Sequence, residues 1–259
     1  MIITLTTDFG YKDPFVGIMK GVIASINPRA HVIDLSHGVA PQDIMGGALV
    51  LRHAVSYFPQ GSIHVVVVDP GVGSARRPLL IETSQGYFIG PDNGVLSLAL
   101  TDDRIMRIID LSHGAFHRQP ISATFHGRDM FAPAAAHLSL TGDAAQLGVT
   151  IGDFARITWP QVEPWSAGCR GQIVYIDNFG NLFTNVTQQH VAQLQDTRPT
   201  IALGDIVIHG LADNYTAGAP GDYIALINSW GLLEIAVCQE NAQRRSGARI
   251  GDKIYIHAQ

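Results

Sequence analysis

Ile63-His-Val-Val-Val-Val-Asp-Pro-Gly-Val-Gly-Ser-Ala-Arg-Arg-Pro78 is the stretch that decides the fold. Six residues, five of them β-branched, form a continuous apolar run, the pattern of a central parallel strand buried on both faces. A carboxylate and a glycine turn come immediately after it, at the strand edge where open α/β sheets bind ligands. Upstream, Ile2–Thr7 and His31–Leu35 read as further strands. Between them, Pro14–Ile26 has apolar residues at helical spacing with Pro14 near its first turn. Asp43–Phe58 repeats that period, with Asp43 as N-cap. Downstream, Leu79–Thr83 and Gly86–Ile89 read as a hairpin around Ser84-Gln85. Arg104–Ile109 is a strand and Asp129–Leu140 a helix.

The text changes near residue 158. Residues 158–170 hold two prolines and two tryptophans without a period and read as a linker. After it, short strands dominate: Gly171–Ile176, Leu182–Val186, Thr200–Leu203, Asp205–His209, Tyr223–Asn228, Leu232–Val237 and Lys253–His257, with room for one short helix at Gln188–Leu194. The sequence therefore predicts an α/β fold: an N-terminal α/β domain (1–157) with a central, mostly parallel sheet, then a C-terminal antiparallel β-barrel domain (171–259).

Composition narrows the function. A chain of 259 residues with 17 Lys+Arg against 22 Asp+Glu carries a net charge of −5 and offers no field for holding nucleic acid. Cys169 and Cys238 belong to no metal-spaced set and read as small core residues. The N-terminus lacks the pattern of a signal peptide, and no apolar run approaches the ~20 residues that span a bilayer. A soluble cytoplasmic protein is expected, with no nucleic-acid or membrane partner.

Five polar features can carry chemistry: Asp8 at the end of the first strand, Asp69 with Arg76, Thr124-Phe-His126-Gly-Arg-Asp129, and the two turns Asp177-Asn-Phe179-Gly-Asn181 and Asn228-Ser229-Trp230-Gly231. Each has a plain structural reading as turn chemistry. The Asp69 loop half-matches a Rossmann glycine loop, as in methyltransferases, but Pro78 leads into a strand where that motif needs a helix. His37, His64, His126, Asp8 and Asp69 could converge on a metal, although no HxH, HxD or HExxH spacing supports it. The pair Ile33–Gly38 and Ile109–Gly114 repeats the text IDLSHG with unmatched flanks, which fits a duplicated strand end.

Taken in order, TTDFG (6–10), DLSHGVAPQDI (34–44), VVDPGVGSAR (67–76), GPDNGVLS (90–97), TFHGRDMFAP (124–133), IDNFGNLFTN (176–185) and NSWG (228–231) resemble the S-adenosylmethionine hydroxide adenosyltransferase family, water-using relatives of the fluorinase and chlorinase enzymes. The resemblance implies hydrolysis of S-adenosyl-L-methionine to adenosine and methionine, without cofactor or metal. It implies a homotrimer whose sites combine the N-domain of one subunit with the C-domain of its neighbour. Asp69, Arg76 and His126 would form the catalytic triad and Asp8 would hold the ribose. Asp177 and Ser229 would hold the methionine end, and Phe179 and Asn181 the adenine. Trp230 stands where the halogenases carry Arg. The fluorinase pattern also has Tyr, Thr, Trp and Ser at the positions of Asp69, Val72, Gln42 and Gly127, so water is expected in place of halide. Which member of the triad takes the proton stays open: a carboxylate paired with a guanidinium is the weaker base, and a neutral imidazole suits transfer near pH 7. The alternatives are a non-catalytic binder of adenosine or S-adenosylmethionine, a halide-using adenosyltransferase and, less favoured, a Rossmann-type methyltransferase.

Overall fold

The computed structural model describes residues 1–166, 168–194 and 198–258. It divides into two compact units, Met1–Ile157 and Thr158–Gln259.

The first unit contains β1 (Ile2–Thr7), α1 (Phe15–Ile26), β2 (His31–Ser36), α2 (Ile44–Ala54), β3 (Ser62–Val67), β4 (Pro78–Thr83), β5 (Gly86–Pro91), β6 (Ile105–Asp110), α3 (Ala132–Thr141) and β7 (Val149–Ile151). Its seven-stranded sheet has the order β2-β1-β3-β5-β4-β6-β7. β2, β1, β3 and β5 pair in parallel, while β4 runs against both its neighbours and β7 against β6. The apolar run of β3 is buried on both faces as its composition demands. Ile63, Val65 and Val67 pack with α1 and α3, through Met19, Ile23 and Ala132–Ala136. Val66 and Val68 point to the opposite face and pack with Leu51 of α2.

Local chemistry explains the helix ends. Asp43 caps α2 by accepting from the Gly46 amide at 2.8 Å. Pro14 immediately precedes α1 rather than occupying its first turn, and Phe15 and Ile18 stay exposed while Val16, Met19 and Ile23 face the core. The helix expected from Asp129 begins at Ala132, because residues 127–131 form one wide π-turn.

The second unit contains β8 (Glu163–Trp165), β9 (Gly168–Ile176), β10 (Leu182–Thr187), α4 (Gln188–Ala192), β11 (Thr200–Leu203), β12 (Ile206–His209), β13 (Tyr223–Ile227), β14 (Leu232–Val237), α5 (Ala242–Ser246) and β15 (Lys253–His257). All its pairings are antiparallel, in the order β12-β11-β15-β9-β10-β14-β13, with β8 on β9. The end strands β12 and β13 approach one another, so the sheet nearly closes into a barrel. The stretch 158–170 is not a plain linker: Glu163–Trp165 pairs with Gly168–Arg170. Pro164 hid this strand, and it is tolerated because β8 has β9 on one side only. The helix α5 was also not expected; Asn241 caps it and Gly247 ends it at φ +71°.

Candidate active site

Parallel pairing of β1 with β3 sets Thr7 beside Val67. Asp8 and Asp69 therefore leave neighbouring strands at the same sheet edge. The loop after Asp69 folds back through turns closed by Val72 N on Asp69 O and Ser74 N on Gly71 O. Gly73, at φ +77°, sits against Ala123, whose carbonyl oxygen would lie 2.3 Å from a Cβ there. The glycines thus serve a tight loop-to-loop contact and lead into no phosphate-binding helix, which removes the Rossmann reading.

The two adjacent arginines go to different places. Arg77 turns outward to Asp92 and Asp153, at 2.6 and 2.8 Å. Arg76 turns inward and clasps Asp69: Nε donates to Oδ1 at 3.0 Å and Nη2 to Oδ2. Both side chains are buried, 9% exposed for Arg76 and 5% for Asp69. Arg76 Nη2 also lies 2.7 Å from His126 Nδ1. A guanidinium only donates, so Nδ1 accepts and the ring proton sits on Nε2. Burial and the charge of Arg76 push the His126 pKa down, against the opposing pull of Asp69 and Asp129, which keeps this ring neutral at pH 7. Its Nδ1 lone pair is committed to Arg76, so His126 is less suited to be the base than its neutrality alone suggests. Arg76 Nη1 is buried with no hydrogen-bond partner among the described residues, a leftover cationic donor.

A cleft of ≈ 400 Å³ opens over this cluster, lined by Asp8, Asp69 and His126 and walled by Phe9, Phe15 and Phe125. The three rings meet edge to face, with centroids 5.3 to 6.0 Å apart. Asp8 Oδ2 accepts from the Gln42 amide at 2.8 Å, holding Gln42 at φ +66° on the rim. Asp8 Oδ1 has no protein donor among the described residues. An acidic floor with aromatic walls suits a ligand that joins a cation to a hydroxyl-bearing or aromatic body.

In the second unit, Asp177 closes its own turn. Its Oδ1 accepts from the amides of Phe179 and Asn181 at 2.9 and 2.8 Å, and Oδ2 accepts from Asn181 Nδ2 at 3.1 Å. Asp177, Phe179 and Asn181 line a cleft of ≈ 660 Å³ with Tyr215, Gln239 and Asn241, and the Phe179 ring stands 74% exposed at its margin. Ser229 and Trp230 do not line that cleft. They form the β13–β14 turn, where the Trp230 ring packs on Tyr175 and Phe183 at 5.2 and 4.9 Å.

Models of the SAM hydroxide adenosyltransferase N-terminal and C-terminal domains match residues 3–148 and 171–255. The chain belongs to the SAM hydroxide adenosyltransferase family. It is 34% identical over 259 residues to an (R)-S-adenosyl-L-methionine hydrolase of Salinispora tropica, covering 99% of this chain and 97% of that protein. A protein of the same name from Methanocaldococcus jannaschii is 36% identical, with 98% and 95% covered. A fluorinase of an Actinoplanes species is more distant, at 26% over 91% of this chain and 90% of its own length. Among solved structures, an uncharacterized conserved protein from Thermotoga maritima superimposes with a TM-score of 0.90 at 31% identity, covering 99% of this chain and all of that one.

Within this SAM hydroxide adenosyltransferase chain, four of the positions that depart from the fluorinase pattern, Gln42, Asp69, Val72 and Gly127, line the cleft over Asp69, whereas Trp230 does not. A Cβ at Gly127 would come within 3.1 Å of Met19 Sδ and 3.3 Å of the Phe125 ring, so the serine of that pattern would crowd the aromatic wall. The suggested convergence of histidines is absent. His37 Nδ1 lies 2.8 Å from Thr7 Oγ1 and its Nε2 lies 3.0 Å from Asp34, whereas His64 meets Thr4. Among the described residues no group of three or more His, Cys, Asp or Glu could hold a metal.

Three supports escaped the sequence reading. The chain Lys20–Asp34–His37–Thr7 braces the turn that carries Asp8: Lys20 Nζ is 2.6 Å from Asp34, Thr7 Oγ1 accepts from the Phe9 amide, and the Gly10 amide donates to His37 O. Burial pushes the Asp34 carboxyl upward, but the hydrogen bonds and charges of His37 and Lys20 outweigh it and hold the pKa low. Asp129, fully buried, receives Arg128 and the Ser122 amide and so shapes the loop before His126. Glu234, also fully buried, takes Asn228 Nδ2 at 3.0 Å beneath the Ser229–Trp230 turn. Burial raises its pKa despite help from Asn228 and Tyr215, and the Asp177 charge adds to the rise. The duplicated DLSHG text and a glutamate inside an apolar strand were the signals in the sequence that could have found them.

Proposed function

We propose that this chain hydrolyses S-adenosyl-L-methionine to adenosine and L-methionine by in-line attack of water at C5′ of the ribose. The observation that carries the reading is the hydrogen-bonded Asp69–Arg76–His126 cluster beneath a cleft with Asp8, in a chain matched over both domains by the family. The sulfonium makes methionine a neutral thioether leaving group, so no acid is needed on that side. The protein has to place a water behind C5′ and receive its proton.

In this proposal Asp69 is the acceptor. The lone pairs not directed at Arg76 are the basic sites left in the cluster, because His126 Nδ1 is engaged and its Nε2 carries a proton. His126 Nε2–H and the leftover Arg76 donor stabilise hydroxide character as the bond forms. Asp8 Oδ1 takes the ribose hydroxyls, and Phe179, Asn181, Asp177 and Ser229 bind the adenine and methionine ends. Trp230 contributes an aromatic surface where the halogenases have a charge. We also propose a metal-free, cofactor-free homotrimer in which Asp177 and Ser229 of one subunit serve Asp8 and Asp69 of the next. Cytoplasmic residence belongs to the same proposal; it fits the unpaired Cys169 and Cys238 and the lack, among the described residues, of a helix long and apolar enough to cross a membrane.

Reaction in heavy-oxygen water tests this. The label should appear at the 5′ oxygen of adenosine, with methionine unlabelled and the rate unchanged in EDTA. A methylated acceptor in place of adenosine, or activity lost on chelation and restored by a divalent ion, would overturn it.

A further inference from the structure

The first unit has another cavity, on the α2 face of the sheet and at the opposite end of β3 from Asp69. It encloses ≈ 210 Å³ between Phe58, Phe88, Val55 and Leu100, with the exposed Arg104 at its margin. His64, only 4% exposed, contributes its ring. Asp69 lies five positions beyond His64, roughly 16 Å along an extended chain at ~3.3 Å per residue, so this cavity is separate from the cleft over Asp69.

The polarity of His64 can be read from its partner. Its Nδ1 lies 2.9 Å from the hydroxyl of Thr4, which is fully buried and has no other side-chain hydrogen bond among the described residues. If Nδ1 donated, the Thr4 hydroxyl proton would be stranded in the core, so the hydroxyl donates and Nδ1 accepts. The ring proton is then on Nε2, the nitrogen left to face the cavity. Burial lowers the His64 pKa to about 4, so the ring stays neutral at pH 7 and donates a single hydrogen bond. The ring is fixed between Phe88 and Phe58, with centroids at 5.3 and 5.6 Å.

A dry apolar cavity of ~150 Å³ already takes benzene, so this one has room for a ring with one substituent. We propose that the cavity is a binding site for a small aromatic carboxylate, its ring against Phe58 and Phe88, its carboxylate accepting from His64 Nε2–H, and the Arg104 charge drawing the anion in. A purely apolar ligand would leave Nε2–H unpaired, which selects against it. Nothing in the hydrolysis of S-adenosylmethionine uses this cavity, and the two readings fail independently.

The test is titration of the full chain with benzoate, and with benzyl alcohol as the uncharged counterpart, read by calorimetry and by the side-chain ¹⁵N resonances of His64. Benzoate should bind, shift the Nε2 signal, and exceed benzyl alcohol in affinity. His64→Phe keeps a ring but deletes the donor and should weaken benzoate roughly tenfold or more. Ala99→Leu fills the cavity and should abolish binding while adenosine formation continues at the wild-type rate. Failure of wild type to bind at about 20 mM benzoate would mean that the cavity holds water only, and the proposal falls. It falls equally if binding survives Ala99→Leu or leaves the His64 resonance unmoved.

Discussion

Asp69→Asn keeps the shape of the side chain and removes one charge from a pair that is almost wholly buried, 5% exposed against 9% for Arg76. Arg76 uses both carboxylate oxygens, so the amide NH2 must face one guanidinium donor that can no longer be accepted. Removing one partner of a buried pair costs about 3–5 kcal/mol, and Asn retains one acceptor, which argues for about 3. At ~2–4 °C per kcal/mol for a protein of this size, the melting temperature should drop by roughly 6–12 °C, leaving the variant folded at 25 °C. The chemical step should suffer more. Loss of a general base lowers kcat by ~10²–10⁴-fold, a barrier increase of about 3–5 kcal/mol, with KM little changed. Adenosine release measured by chromatography at saturating and limiting substrate separates the two constants. His126 supplies a second readout: the Asp69 charge holds its pKa up against burial and Arg76, so the variant should titrate at still lower pH. A variant whose KM rises while kcat survives would show that Asp69 merely shapes its loop, and the catalytic assignment would be wrong.

Asp8→Asn should act in the opposite sense, raising KM more than it lowers kcat, because a group that holds the ribose serves ground state and transition state alike; a kcat loss with KM intact would refute the ribose role. Light scattering should give three times the chain mass under assay conditions, and a fully active monomer would remove the shared-site arrangement. Acid should destabilise the fold through His64. The unfolded chain takes up that proton near pH 6.5 and the folded one only near 4, so the unfolded state binds more protons between them and stability falls as pH drops through this window. The difference corresponds to about 3 kcal/mol lost by pH 4, and His64→Phe should flatten the stability profile by that amount. Identical profiles for variant and wild type would contradict the buried, neutral ring.

The features legible in the sequence are those that local rules govern. The run Ile63–Val68 is β-branched at every position but His64 and so reads as a doubly covered strand, and Asp43 is a cap because an apolar helical period starts directly after it. The loop after Asp69 could be freed from the Rossmann reading by Pro78, but not explained. The reason for Gly73 is the Ala123 carbonyl, fifty residues away, and the parting of Arg76 from Arg77 depends on Asp92 and Asp153 competing for one of them. Strand β8 was masked because Pro164 is a poor strand residue everywhere except at an unpaired side. The brace behind Asp8 was invisible for a similar reason: Lys20, Asp34, His37 and Thr7 come from three elements, and only the parallel register of β1 with β2 brings them into line.

The charges of the cleft bear directly on the choice of nucleophile. A guanidinium at the site of attack would ordinarily favour an anion, and Arg76 is the cationic side chain of the triad. Yet its Nε and Nη2 are spent on Asp69, so the pair is neutral as a unit, and His126 is held neutral by burial and by Arg76 itself. Asp8 then gives the lined cleft a net negative charge. That potential attracts a sulfonium and opposes a halide, and in a buried site with reduced screening the effect is stronger than in water. Water experiences no such opposition, and in the proposed mechanism Asp69 offers it an acceptor where the fluorinase pattern has a phenol. In the proposed mechanism, neutralising Asp69 alone removes the base and leaves the Arg76 charge balanced only by Asp8, so the cleft becomes neutral while Gln42, Val72 and Gly127 still lack the side chains of the fluorinase pattern. Asp69→Asn should consequently show no gain of chloride- or fluoride-dependent adenosyl transfer, and the appearance of a 5′-halo product in that single variant would show that the carboxylate charge was the only barrier to halide.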